Sequence, residues 1–347
     1  MPTGKTCRGA IHVHSNYSDG SGRVEDVISA AQTAGLDYLI ITDHDKLRPE
    51  QHAFQGRHGN LLVVYGVEMK ARMFGKKHFL ALGVDSHEPY RGLTFAEKLE
   101  RIDRDGGKSI IAHPAGCFKP WLAIAHRRWK RFPEGTFHGM EIWTYMHDWV
   151  KGLRLSRLRE QYRDPDHSLG GPDVKLLAAW DALNRKRRIA GIGSLDNHAR
   201  HVPLFGVRVF PYEYLFRRLL THVEIEPFTG DVAKDISRLL AAISAGRSYF
   251  ANNAIAPPDG FRFFAESGDG GHGVGAWLNG GAQALRIESP CVCEMKLVRN
   301  GETVMTEVTG EMELRDPPPG AYRVEARLDG APWLFTNHIN VGMPLVT

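Results

Sequence analysis

Short apolar runs alternate with segments of helical periodicity over the first two-thirds of the chain. Residues 10–14 (AIHVH) read as a strand. Val24, Val27, Ile28, Ala31 and Ala34 then recur at the steps of a helix that Gly35 stops. Buried strands follow at 38–42 (YLIIT), 61–65 (LLVVY), 79–82 (FLAL) and 109–112 (SIIA), with two more at 139–143 (GMEIW) and 189–193 (IAGIG). Thr94 and Glu97 have the spacing of a capping box for a helix ending at Gly106-Gly107. Residues 231–246 place Ile236, Leu239, Leu240 and Ile243 on one helical face. Strands alternating with helices predict an α/β protein with a parallel sheet. About seven such units, with polar residues gathered at the strand exits, predict a closed, TIM-like barrel.

The pattern changes after residue 256. Pro257-Pro258 mark a boundary, and strand-and-turn sequence follows to the end, with Asn300-Gly301 and Asp329-Gly330 as hairpin turns. This predicts a barrel over 1–256 and a small antiparallel β-sandwich over 257–347. Within the first part, residues 117–188 hold Trp121, Trp129, Trp143, Trp149 and Trp180 among basic and helical segments. They read either as an insertion covering the barrel mouth or as outer helices with long loops.

Composition narrows the class. At 42% apolar and 24% charged residues, the 347-residue chain is globular rather than disordered. A net charge of +4 is too mild to indicate a nucleic-acid binder. The basic stretch His126 to Arg131 (HRRWKR) reads as a solvated helix face. No apolar run is long enough to span a membrane, and a first strand at Ala10 leaves no room for a secretory signal. Cys7, Cys117, Cys291 and Cys293 fit neither a disulfide framework nor a Cys-rich zinc site, so a reduced, cytoplasmic setting is expected.

Nine metal-binding side chains stand at or just beyond the apolar runs: His12, His14, Asp19, His44, Glu68, His78, His113, Asp196 and His198. In a regular strand His12 and His14 share a face, because the side-chain period is two. Gly20 beside Asp19 allows the tight turn that folds this carboxylate back over the strand end. Imidazoles mixed with carboxylates suit several divalent ions. The remaining histidines, His126, His138 and His147 among them, read as surface or structural residues.

In order and spacing, HVHSNYSDG, ITDHD, GVEM, the histidine of KKHF, IIAHP and SLDNH resemble the motifs of the PHP (polymerase and histidinol phosphatase) superfamily, over about residues 7 to 205. The resemblance implies a distorted seven-stranded (β/α) barrel with two or three metals at the strand C-termini. It implies a first ion on His12, His14, Glu68 and Asp196. Glu68 would bridge to a second ion completed by His78 and His113. Asp19, His44 and His198 would hold a third. Mn, Fe or Zn suits this nitrogen and oxygen set better than magnesium alone.

The chemistry expected of such a centre is hydrolysis by metal-bound hydroxide. The cluster remains positive and should attract an anionic, phosphorylated small molecule such as a nucleotide, with nucleic acid not expected beyond nucleotides or short oligonucleotides. Lys119, Arg200 and His201 are the residues available for phosphate contact or leaving-group protonation. Asp43 and Asp45 would orient ligand rings rather than bind ions, and Glu141 reads either the same way or as a buried, paired acid. A metal-dependent phosphoesterase is the leading expectation. The alternatives are a hydrolase of the same barrel acting on a carbamate, amide or carboxylic ester, and a non-catalytic binding module.

Overall fold

The computed structural model describes residues 6–45, 47–71, 77–119, 124–202 and 207–344. Seven principal strands come first: β1 (Thr6–Val13), β2 (Tyr38–Ile41), β3 (Leu61–Lys70), β4 (His78–Leu82), β5 (Lys108–Ile111), β6 (Gly139–Thr144) and β7 (Ala190–Ser194). Helices α1 (Val24–Thr33), α2 (Phe95–Arg104), α3 (Tyr145–Gly152) and α4 (Val174–Asn184) lie between them. Then come β8 (Leu219–Glu224), α5 (Val232–Ser244) and β9 (Ser248–Asn252). Local signals set several of these bounds. Thr94 Oγ1 accepts from the Glu97 N–H while the Glu97 carboxylate accepts from the Thr94 N–H at 2.7 Å, which starts α2.

The chain is an α/β protein, but its sheet is mixed rather than all parallel. The pairs β1–β2, β2–β3, β5–β6 and β6–β7 are parallel, whereas β4 runs antiparallel to both β3 and β5. Only residues 71–77 separate β3 from β4, and a parallel pair needs a crossover of about a dozen residues. On its outer edge β1 pairs antiparallel with β8. Toward β7, Leu195 N–H donates to Ile11 O at 3.0 Å, Asn197 N–H to His12 O at 3.2 Å and His14 N–H to Asn197 O at 2.9 Å.

Alternate residues of the same strands feed two separate cores. Leu39, Ile41, Val63 and Tyr65 pack outward against α1 and α2. Tyr38, Ile40, Leu62 and Val64 face Leu80, Ile110 and Ile192, with Leu239 and Ile243 of α5 below them. Burial on both faces explains the near-continuous apolar runs.

Residues 117–188 form a hairpin (Cys117–Lys119 with Ile124–His126), α3, α4 and short turns. The basic stretch is therefore not a solvated helix face. His126 closes a strand, Trp129 is buried, and Arg128 makes a bidentate pair with Asp173 at 2.7 and 2.6 Å.

The C-terminal strands are β10 (Arg262–Ser267), β11 (Ala284–Arg299), β12 (Glu302–Arg315), β13 (Gly320–Leu328), β14 (Ala331–Thr336) and β15 (Ile339–Val341). Their mutual pairings are antiparallel. Asn300 and Gly301, at φ 55° and 93°, turn β11 into β12. Tight links join this region to the rest, with Asn337 bound to Gly191 and Asn340 to Asn184 among them. β9 pairs with β14. In addition, Asp181 of α4 receives Arg323 Nε at 2.6 Å, Arg323 Nη2 at 2.9 Å and His338 Nε2 at 2.8 Å, all buried. Among the described residues no helix is long and apolar enough to cross a membrane.

Burial alone would raise the Asp181 carboxyl, but His338 and Arg323 outweigh it and hold it at about 2, against an ordinary 3.8. The stability this supplies is complete above the ordinary value and is lost as pH falls toward 2. Asp181→Asn leaves Arg323 buried without its main counter-ion. It is expected to cost about 3–5 kcal/mol in chemical unfolding and to flatten the acid limb of the stability profile.

Candidate metal centre

Glu68, 1% exposed near the end of β3, is the hub of the site. Its Oε2 lies 3.2 Å from His12 Nε2, 3.3 Å from His14 Nε2 and 3.1 Å from His44 Nδ1. Its Oε1 lies 2.8 Å from His78 Nδ1 and 3.0 Å from His113 Nε2. Asp196 Oδ1 faces His12 Nε2 at 3.5 Å and His14 Nε2 at 3.3 Å. Asp19 Oδ1 faces His198 Nε2 at 3.1 Å and His14 Nδ1 and His44 Nε2 at 3.7 Å. All nine side chains singled out in the sequence thus converge, from the exits of β1, β2, β3, β5 and β7 and from the start of β4.

The spacing suits cations. Ligand atoms bound tetrahedrally at 2.0–2.1 Å stand about 3.4 Å apart, close to most of the separations above. His12 Nε2, His14 Nε2, His44 Nδ1, Glu68 Oε2 and His78 Nδ1 are all buried without a hydrogen-bond partner. One buried group left so costs about 1–3 kcal/mol, and five around one point fit a divalent ion in their midst. Among the described residues five groups bring their donor atoms within 4.8 Å of one another: His12, His14, Glu68 and Asp196; His14, Asp19, His44 and His198; His44, Glu68 and His78; His78, His113 and His126; and His113, His147 and Asp196.

Irregular backbone aims these groups. The β1–β2 register shifts between Ile11 and Val13, so His12 is a bulge residue at φ 67°. The regular two-residue alternation expected of His12 and His14 is therefore not what brings them together. His113 at φ 30° and Asp196 at φ 53° are also in the left-handed region. Such residues cost about 1–3 kcal/mol each and gather where function over-determines the fold. A Cβ on Gly20 would meet His14 O, so only glycine lets the Asp19 loop lie against the strand end.

Carboxylates fix the ring orientations. His12 Nδ1–H donates to Glu141 Oε1 at 2.6 Å, leaving Nε2 for the centre, and Glu141 Oε2 accepts the His113 backbone N–H at 2.5 Å. Asp43 acts one step removed. It takes the Ser18 hydroxyl proton at 2.6 Å, and Ser18 Oγ then stands 3.4 Å from His14 Nδ1 to accept from it. Asp43 also accepts from Ser15 N–H and Ser15 Oγ, which anchors the loop. Asp45 touches no imidazole and pairs with Lys70 at 2.7 Å.

The electrostatics follow from this crowding. Burial opposes a charge on His12, but Glu141, Glu68 and Asp196 together raise it well above its usual value. His14, also buried, is raised to about 9 by the Asp196 and Glu68 carboxylates that face its Nε2. Burial would protonate Glu68 and Asp196, yet the surrounding imidazoles hold both well below the carboxylate range. Burial lowers His44 to about 4. Without ions, protons on His12 and His14 thus stand in for the positive charge that the carboxylates require.

Two residues in the same wall escaped the sequence reading. His147 Nε2 lies 3.0 Å from Asp196 Oδ2, and its ring stacks on His113 at 4.4 Å. The His126 ring stands 4.8 Å from His113. Neither is a surface residue distant from the centre. His147 follows the exit of β6 by three residues and His126 directly follows the apolar run WLAIA, the same signal that marks the others. Arg200 Nη2 meets Asp19 Oδ2 at 2.5 Å at the rim. Lys119 Nζ donates to Leu153 O at 3.0 Å. His201 lies in a short strand, His201–Val202, and its side chain is outside the described residues.

Because His14 stays protonated below about 9 in the ion-free protein, a cation must displace a proton. Zinc added to chelator-treated protein near neutral pH is expected to release protons, read by an indicator in weak buffer, and its apparent affinity should climb with pH toward that value. Glu141→Gln should weaken ion retention by about 10–100-fold, measured by competition with a chromogenic chelator.

Residues 10–107 match the PHP domain family. A phosphoribosyl 1,2-cyclic phosphate 1,2-diphosphodiesterase of Eggerthella lenta is 37% identical over 95 residues, 26% of this chain and 36% of that protein, so the chain spans about a third of the curated relative's length. A two-domain Bacteroides vulgatus protein, described as containing a predicted PHP-like metal-dependent phosphoesterase, aligns over 97% of this chain and 96% of its own at 17% identity and a TM-score of 0.41. The lesion-specific endonuclease PfuEndoQ of Pyrococcus furiosus aligns over 77% and 63% at 14% identity and a TM-score of 0.40. The stretch that matches the PHP domain family takes in the strand exits that carry His12, His14, His44 and Glu68.

Proposed function

We propose that this chain is a metal-dependent phosphoesterase acting on a small phosphorylated substrate, nucleotides included. The observation that carries the reading is the set of four buried, unpartnered imidazole nitrogens around Glu68, whose own Oε2 is likewise unpartnered. The PHP match supports it, as does the phosphodiester chemistry in the name of the Eggerthella lenta relative. His12, His14, Glu68 and Asp196 hold a first ion, Glu68 with His78 and His113 a second, and Asp19, His44 and His198 a third. The imidazole-rich set favours Mn, Fe or Zn.

Ions held there would activate water at neutral pH and provide a positive field for the phosphoryl oxygens. The protein residues do the rest. Glu68 turns Oε2 toward His12, His14 and His44 and Oε1 toward His78 and His113, Glu141 keeps Nε2 of His12 turned inward, and Asp43 works through Ser18 on His14. A cavity of about 460 Å³ opens onto the centre between Tyr17, Asp19, His44, Lys70, His78 and His126, a size suited to a small molecule. Arg200, half released to solvent beside Asp19, is placed to meet a phosphate at that rim.

In the same reading β1 to β7 form a distorted seven-stranded barrel within residues 1–256, supported by the β7-to-β1 hydrogen bonds and the two alternating cores. Residues 117–188 flank its mouth, and 257–347 form a β-sandwich with its own core around Phe263, Leu285, Tyr322 and Trp333.

Metal-reconstituted protein is expected to hydrolyse p-nitrophenyl phosphate mono- or diesters. His12→Ala should lose that activity to background with an unchanged circular dichroism spectrum. Cleavage of p-nitrophenyl carboxylic esters or naphthyl carbamates, with phosphate esters untouched, would replace this reading by the carbamate and ester alternative.

A further inference from the structure

The hairpin Cys117–Lys119/Ile124–His126 ends on a histidine at the wall of the centre. The His126 ring stands edge-on to three others, at 4.8 Å from His113, 4.9 Å from His147 and 5.8 Å from His78. Its Nδ1 is buried without a hydrogen-bond partner. Donor atoms of His78, His113 and His126 lie within 4.8 Å of one another, a grouping that takes in the one motif residue, His113, absent from the first three groups named above. His126 also lines the cavity that opens onto Asp19 and His44.

Of these four imidazoles His78 and His113 face Glu68 Oε1, at 2.8 and 3.0 Å. His147 Nε2 lies against Asp196 Oδ2 while Asp196 Oδ1 faces His12 and His14. His147 thus orients a carboxylate. For His126 no carboxylate or backbone carbonyl accounts for the buried nitrogen, and an unmet buried polar atom costs about 1–3 kcal/mol. A cation shared with His78 and His113 removes that cost.

We propose that His126 is a ligand of the second ion, beside Glu68, His78 and His113, so that this position is a three-histidine, one-carboxylate site. The inference rests on the metal reading of the same centre. Three imidazoles select a borderline transition ion and disfavour magnesium, which prefers oxygen donors. The hairpin that delivers His126 thereby becomes part of the ion-binding apparatus rather than a cover over it.

The test is ion stoichiometry and affinity, read without turnover. Full-length wild type, His126→Ala and the remote control His272→Ala are loaded with cobalt, dialysed and assayed by elemental analysis and visible absorption. His126→Ala is expected to retain about one ion fewer per chain, or to bind that ion on the order of 100-fold more weakly. Its cobalt spectrum should change, while His272→Ala matches wild type. If the alanine variant does not fold, His126→Gln is expected to show the same loss. Unchanged stoichiometry, affinity and spectrum in a folded variant overturn the inference and leave the other assignments standing. A wild type that retains no ion overturns the metal reading and this inference with it.

Discussion

Glu68 lies at the meeting point of five imidazoles with 1% of its surface exposed, and an isolated carboxylate would not stay ionised in such a place. Removing its charge from water costs several kcal/mol even after relaxation. Positive charge must therefore be supplied nearby, by protons on His12 and His14 or by cations. This requirement explains why strand ends far apart in sequence meet, and why strained backbone is retained at His12, His113 and Asp196. It also explains the outer layer: Glu141, Asp43 and Ser18 are placed where each sets the tautomer of a ring that faces Glu68.

Much of the fold was legible because burial writes itself into apolar runs. YLIIT, LLVVY and SIIA become strands, and the Thr94/Glu97 pair and Asn300-Gly301 start a helix and close a hairpin through chemistry local to a few residues. Strand direction was not legible. It depends on how much chain lies between two runs, and the brevity of residues 71–77, not the apolar pattern, makes β4 antiparallel. The stretch from His126 to Arg131 misled for a related reason. Its charges look solvated in sequence, but Arg128 is matched by Asp173, forty-five positions away.

The centre was legible where ligand-type residues follow apolar runs, and all nine such positions come together. The same rule, applied to GMEIWTYMH, would also have reached His147. It would have reached His126 too, after WLAIA, although the hairpin that turns this ring toward His113 is not legible there. Nor could the bulge at His12 be read from IHVH. Period-two alternation gave the right neighbours for the wrong reason, since the extra residue at φ 67° turns the ring inward.

The buried contact of Asp181 with Arg323 and His338 has an implication for ancestry. One partner belongs to the helix before β7 and the others to the last few dozen residues, so neither stretch presents a neutral surface alone. Grafting a foreign tail onto this chain would bring a mismatched electrostatic seam unless the acid and its two bases travelled as a set. The two regions are thereby bound to a common evolutionary history, and a substitution at any of these three positions would press for a compensating change at the others.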